Sequence, residues 1–343
     1  MRASSFLAAA LLLAGLNACS ESSRPTLENL RESSALSSPG APAAQGTIRR
    51  AIDVRHAGTR LVTVWDGATK ALEYRERVMT DGSGEFSVRP IEALTPVAAD
   101  WELRQLAGEG YYFLYRDFAV HDERAFAKNY RVVNQDGTVE VAGRACKELV
   151  VERKNGACSY ELAIDEETGL VLGYVERNAT GQAISAMVYE SFDTDPDLGA
   201  AIWFTPLGQT EIEESAGTLH QQLGFEVPLP TRLPEGYSLA HAYHLVADDA
   251  DWVKLVLTDG VETAFYLFSP FRGRRGSTSP IELAHDGEVE ELAVGTGTED
   301  LFLFRMGDVS IAHATLREGS FMAVGRVRSQ ELVDLIEFAL PAR

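Results

Sequence analysis

Between residues 47 and 204 apolar side chains recur at every second position, the period of a strand with one buried face. In Tyr160-Glu161-Leu162-Ala163-Ile164-Asp165 the Tyr, Leu and Ile share one face. Asp165-Glu166-Glu167-Thr168-Gly169 turns the chain into Leu170-Val171-Leu172-Gly173-Tyr174-Val175, and Asn178-Ala179-Thr180-Gly181 turns it again into residues 184–192. Strands joined by short Gly-containing turns build an antiparallel sheet. Lys154-Asn155-Gly156 reads as a further hairpin turn. Helical periodicity is confined to residues 51–56 and 123–128. The aromatic-rich stretch 111–130 has no clear turn before His121-Asp122.

Residues 196–206 read as a connector, 211–223 as a short helix, and Val227-Pro228-Leu229-Pro230 as a stiff passage into a second domain. That domain opens with Leu233-Pro234-Glu235-Gly236-Tyr237 and shows strands over 238–246, 252–258, 264–268, 301–306, 310–316 and 320–327. Asp259-Gly260 and Arg317-Glu318-Gly319 are its turns. Ser329 caps a closing helix with Leu332, Ile336 and Leu340 at helical spacing. The fold class is α+β: an N-terminal open antiparallel barrel or curved sheet with peripheral helices, then a smaller C-terminal antiparallel β domain with a closing helix.

The 343 residues, 45% hydrophobic and 24% charged, fit a folded chain, and that length suits two domains better than one. A net charge of −20 with no long basic stretch argues against binding nucleic acid. Residues 1–18 read as a signal peptide: Met1-Arg2 supplies one positive charge, and the apolar run 6–16 spans about 16 Å as a helix, half of a bilayer core. Leu16-Asn17-Ala18-Cys19 resembles the lipobox of bacterial lipoproteins, which would make Cys19 the lipidated N-terminus of the mature chain. Ser20 after it implies passage to the outer membrane, with the protein in the periplasm. Residues 19–46, rich in Ser, Ala and Pro, read as a flexible tether. The domains expected are 47–205 and 229–343, joined by a linker with a short helix over 206–228.

The candidate chemistry is sparse. Cys146 and Cys158 flank the turn at Asn155 and form a candidate disulfide. In a tight hairpin, however, they stand roughly 20 Å apart, so a bond requires a wider loop, and two separate thiols are the alternative. His241 and His244 fall on opposite faces of a strand and cannot easily share a metal. Asp193, Asp195 and Asp197 are spaced like a calcium loop, but Pro196 interrupts it, Leu198 stands where Gly belongs, and Phe204 where a bidentate Glu belongs. A solvated acidic connector fits better. No metal, cofactor or catalytic residue is assigned: phosphate loops, nucleophile elbows and paired-His motifs are missing from the sequence. Phe271-Arg272-Gly273-Arg274-Arg275-Gly276 is the compact basic segment of this acidic chain, and its arginines suit docking to carboxylates or phosphate head groups.

Three places together resemble one family. The first is Tyr130-Arg131-Val132, then Val141-Ala142-Gly143-Arg144, then the hairpin at residues 162–170. The second is Leu233-Pro234-Glu235-Gly236-Tyr237, and the third is the final hairpin ending Met322-Ala323-Val324-Gly325 before a helix. Their order and spacing are similar to the MucB/RseB family of periplasmic regulators of envelope-stress sigma factors. The resemblance implies a LolA/LolB-like N-terminal domain and a C-terminal domain that binds the periplasmic segment of a membrane-bound anti-sigma factor; the basic segment, Phe271, Arg272, Arg274 and Arg275, is the candidate partner-binding site in that domain. It implies no enzymatic activity. A LolB-like lipoprotein acceptor or carrier is the alternative.

The apolar concave face of a curved sheet also leaves room for acyl chains, at about 0.8 kcal/mol per buried CH₂. The residues expected to line such a cavity are Trp65, Tyr74, Trp101, Tyr112, Leu114, Leu162, Ile164, Leu172 and Tyr174. The same residues would otherwise form a filled core.

Overall fold

The computed structural model describes residues 48–204, 209–212, 219–247, 250–270, 289–290, 301–306, 309–316, 319–326 and 329–339. Residues 1–47, with the signal peptide, Cys19 and the tether, lie outside them, as does the arginine segment Phe271–Arg275.

Among the described residues, two antiparallel sheets of eight strands carry the fold. In the first, β1 (Arg55–Asp66), β2 (Thr69–Asp81) and β3 (Phe86–Ala93) form one meander. A second meander runs through β4 (Tyr130–Val141), β5 (Arg144–Arg153), β6 (Cys158–Asp165), β7 (Val171–Asn178) and β8 (Ala183–Asp193). The order is β3-β2-β1-β8-β7-β6-β5-β4, so the two meanders join where β8 returns to β1. The sheet is not closed into a barrel. Its β3 edge is blunted: the Phe204 N–H donates to the Phe86 carbonyl, Glu109 accepts from the Val88 N–H, and Pro90 has no N–H to offer.

Between the meanders lie α1 (Trp101–Ala107), α2 (Glu109–Tyr111), a π-helical turn Tyr112–Arg116, and α3 (Glu123–Asn129). The sequence pattern shows only α3, whose Asp122 caps it by accepting from the Ala125 N–H. α2, at three residues, is too short for a period to register. The expected helix at 51–56 is a single 3-10 turn, Ala51–Asp53, and β1 begins at Arg55.

The second sheet holds β9 (Gln209–Glu211), β10 (Ser238–Ala247), β11 (Ala250–Thr258), β12 (Thr263–Pro270), β13 (Val289–Glu290), β14 (Leu301–Met306), β15 (Val309–Thr315) and β16 (Gly319–Gly325). Its order is β13-β14-β15-β16-β12-β11-β10-β9. β9 arises where the sequence reads helix, because Glu211 pairs with Tyr243 of β10; among the described residues of that stretch Leu219–Leu223 form a helix, α4. The closing helix α5 (Ser329–Glu337) buries Leu332 and Ile336 on the sheet. β12 and β16 are buried on both faces, which gives them near-continuous apolar runs where a half-exposed strand would alternate.

Candidate functional site

The inward positions of the first sheet follow the two-residue period. They include Val62 and Val64 on β1, Tyr74 and Val78 on β2, Leu162 and Ile164 on β6, Leu172 and Tyr174 on β7, and Met187 and Tyr189 on β8. Charged residues stand in phase with them: Arg60 on β1, Glu76 on β2 and Glu176 on β7, each nearly sealed from solvent. A buried charge costs several kcal/mol unless it is paired, so each has a specific partner.

Arg60 and Glu76 meet with Nε–Oε1 at 2.6 Å, and Arg116 of the π-helical turn reaches the same carboxylate at 2.7 Å. Asp117 bridges the two arginines, at 2.5 Å from Arg60 and 2.9 Å from Arg116. Arg116 also donates to the Tyr74 hydroxyl at 2.6 Å. Two cations and two anions thus neutralise each other inside the sheet. Burial alone would raise the Glu76 pKa, but Arg116 and Arg60 hold it below the usual carboxylate range. This quartet pins the π-helical turn over the trough.

The second domain enters the same face. The β11–β12 turn, Asp259-Gly260-Val261-Glu262, projects into the first domain, and Val261 packs in one cluster with Leu162, Ile164, Leu172, Tyr174, Phe118 and Phe126. The Tyr130 hydroxyl donates to Asp259 at 2.7 Å, Arg153 lies 3.3 Å from it, and Asn129 donates to the carbonyls of Asp259 and Gly236, both at 2.8 Å. The His121 N–H donates to the Gly260 carbonyl at 2.9 Å. Deeper in, the Tyr160 hydroxyl donates to Glu262. Arg326, just after β16, pairs with Glu176, donates to Ser185 at 2.9 Å and to the Arg116 carbonyl at 3.0 Å, and stands 3.5 Å from Glu262. Burial raises the Glu176 pKa; Arg326 opposes this and the neighbouring Glu262 adds to it. Burial likewise raises Asp259, against the pull of Arg153 and Tyr130. The seam is polar and specific, and its charged groups are buried.

Of the residues expected to line a cavity, Tyr74, Leu162, Ile164, Leu172 and Tyr174 are brought together in one buried cluster, each at most 3% exposed. Trp101 packs on its rim, with its ring 5.3 Å from that of Tyr74. Leu114 belongs instead to a second cluster, with Val78, Phe86, Val88 and Phe113. Trp65 is half-buried towards the end of β1. Tyr112 falls in the π-helical turn, and its side chain lies outside the described residues. Val261 of the second domain joins the same buried cluster.

The disulfide considered for Cys146 and Cys158 is not formed; both are free thiols. Cys146 pairs with Asp165 across β5–β6 and Glu152 with Ser159, so the cysteines occupy opposite ends of a tight hairpin. His241 is 3.1 Å from Glu211 and His244 2.9 Å from Asp251. Asp193 and Asp197 accept from the backbone N–H groups of Asp195 and Gly199, two residues on from each. No group of His, Cys, Asp and Glu among the described residues is arranged to hold a metal.

Sequence reasoning passed over Arg60, Glu76, Glu176, Asp259, Glu262 and Arg326. A signal existed for the first three: charges in the apolar phase of a strand need buried partners. Nothing local marks Glu262 or Arg326.

Comparison with known proteins gives one family match. Residues 97–213 match the MucB/RseB N-terminal domain. Among solved structures, MucB in complex with MucA(peri) is 16% identical, with 88% of this chain and 98% of that one covered at a TM-score of 0.45. The Pseudomonas aeruginosa MucA/MucB complex is 17% identical over 88% and 99%, at 0.43. A structure of MucB alone is 18% identical over 84% and 93%, at 0.42. No curated protein matches the chain.

Proposed function

We propose that this chain, whose residues 97–213 match the MucB/RseB N-terminal domain, is a periplasmic regulator that binds the periplasmic segment of an anti-sigma factor. The family match carries this reading. The two-domain organisation supports it, since a simple carrier with a LolB-like domain has no need of a second sheet docked into its trough. Binding rather than catalysis is the activity proposed. Cys19 as a lipid anchor in the outer membrane and the arginine segment Phe271–Arg275 as a contact for the partner belong to the same proposal. No helix among the described residues is long and apolar enough to cross a membrane.

A lipid signal fits this reading in one way. An acyl chain entering the trough would compete with Val261 for the space against Leu162, Ile164 and Leu172. Lipid occupancy and the closed seam would then exclude one another, and the second domain would report the state of the first.

The test is direct. The full chain is mixed with the periplasmic segment of a MucA-type anti-sigma factor, and binding is followed by calorimetry and by protection of that segment from proteolysis. A stable complex and slower cleavage are expected. A segment that neither binds nor gains protection would overturn the proposal.

A further inference from the structure

Lys254 projects from β11 between Tyr243 of β10 and Leu267 of β12, its partners in register. Its ammonium sits 4.2 Å from the centroid of Phe265, 5.9 Å from that of Tyr115 and 6.0 Å from that of Tyr243. Tyr115 comes from the π-helical turn of the first domain, and its ring stands edge-on to Phe265 at 4.9 Å. Both domains therefore build the surroundings of this lysine. The side chain is partly buried, yet among the described residues it makes no hydrogen bond or ion pair. Charges withdrawn from water are ordinarily paired, and aromatic faces return only about 0.5–2 kcal/mol.

We propose that Lys254, with the rings of Tyr115, Tyr243 and Phe265, is a subsite that receives a carboxylate side chain of a bound protein segment, adjacent to an apolar residue of that segment. One ammonium matches one carboxylate in charge. A phosphate group would call for further donors or a second cation, and no second cation faces Lys254 among the described residues. The neighbouring titratable groups do not compete. Burial keeps Tyr115 and Tyr243 protonated, and Glu211, opposite Tyr243 on β9, is held by His241 at 3.1 Å. Burial also lowers the Lys254 pKa to about 8, so the lysine is charged at neutral pH and gains from an arriving anion. The rings offer the apolar wall. In an acidic chain this isolated cation would fix the register of an acidic partner.

The occupant rests on the partner-binding reading above, so the experiment has two arms. In the first, the full chain carrying ¹⁵N-lysine is titrated with acetyl-Asp-Phe-amide and with acetyl-Asn-Phe-amide, and the Lys254 Nζ resonance is identified by its loss in Lys254→Met. A saturable shift with the Asp peptide and none with the Asn peptide is expected; no shift, or equal shifts, overturns the subsite. In the second, Lys254→Met should weaken binding of the anti-sigma segment about tenfold and Lys254→Arg by no more than about threefold, the scale of one charge-assisted contact. Equal affinity of wild type and Lys254→Met overturns the inference, as does a lowered melting temperature of Lys254→Met, which would make the lysine structural. Failure of the wild-type chain to bind the segment overturns the proposed function alone, and the dipeptide titration still decides the subsite.

Discussion

Gly260 lies so close to the Phe126 backbone that a Cβ built on it would stand 2.2 Å from the Phe126 nitrogen. Its φ of +110° is also one that side chains other than glycine's rarely adopt. Two demands, one local and one between domains, meet on a single residue. The local demand comes from the tight β11–β12 turn. The second comes from docking that turn against α3.

Gly260→Ala should therefore do more than strain a hairpin, which by itself costs about 1–3 kcal/mol. It should also push the β11–β12 turn off α3 and loosen the seam. We expect a lower melting temperature, a larger radius of gyration in small-angle scattering and faster proteolysis between the domains. A variant that melts and scatters like the wild type would show that the docking is not what requires glycine.

Arg326→Met should destabilise the protein by about 3–5 kcal/mol, because Glu176 and Glu262 are left buried without their shared cation. Adding Glu176→Gln should recover part of the loss, since one of the two facing charges is removed. Chemical denaturation of the two single variants and the double variant measures the coupling. Additive losses would mean that the two side chains do not act on one another.

Glu176 also sets a pH slope. Burial raises its folded pKa above the ordinary carboxylate value, so the folded chain holds a proton that the unfolded chain gives up. Its contribution to stability is fully present below about 4.5 and falls as pH rises through the folded value. His56 and His121 work in the opposite direction. Burial lowers both from 6.5 to about 4, so their contribution is present above 6.5 and is lost as pH falls towards 4, up to about 3 kcal/mol each. Melting curves of wild type and Glu176→Gln between pH 4 and 8 separate the two. The variant should lose stability on acidification more steeply than the wild type, and parallel curves would exclude a role for Glu176.

Cys146 and Cys158 should be slow to alkylate in the folded protein. Burial raises their thiol pKa values to about 11 and about 12, and it is the thiolate that reacts. Intact mass under non-reducing conditions should show both thiols free, with fast modification only in denaturant. Rapid labelling of the native chain would contradict the burial of the two side chains.

The sequence by itself determined the parts that depend on neighbours along the chain. A two-residue apolar period and Gly-containing turns located β6, β7, β8 and most strands of the second sheet within a residue or two, because alternation and turn chemistry are local. Asp259-Gly260 was legible as a turn for the same reason. The tertiary structure alone decided that this turn enters the first domain, that β8 returns to β1, and that Arg326 neutralises Glu176 across 150 positions of sequence. A strand period states only that a side chain points inward. Which group it meets there depends on sheet order and domain docking, and a buried charge is settled by that distant partner rather than by anything beside it in the chain.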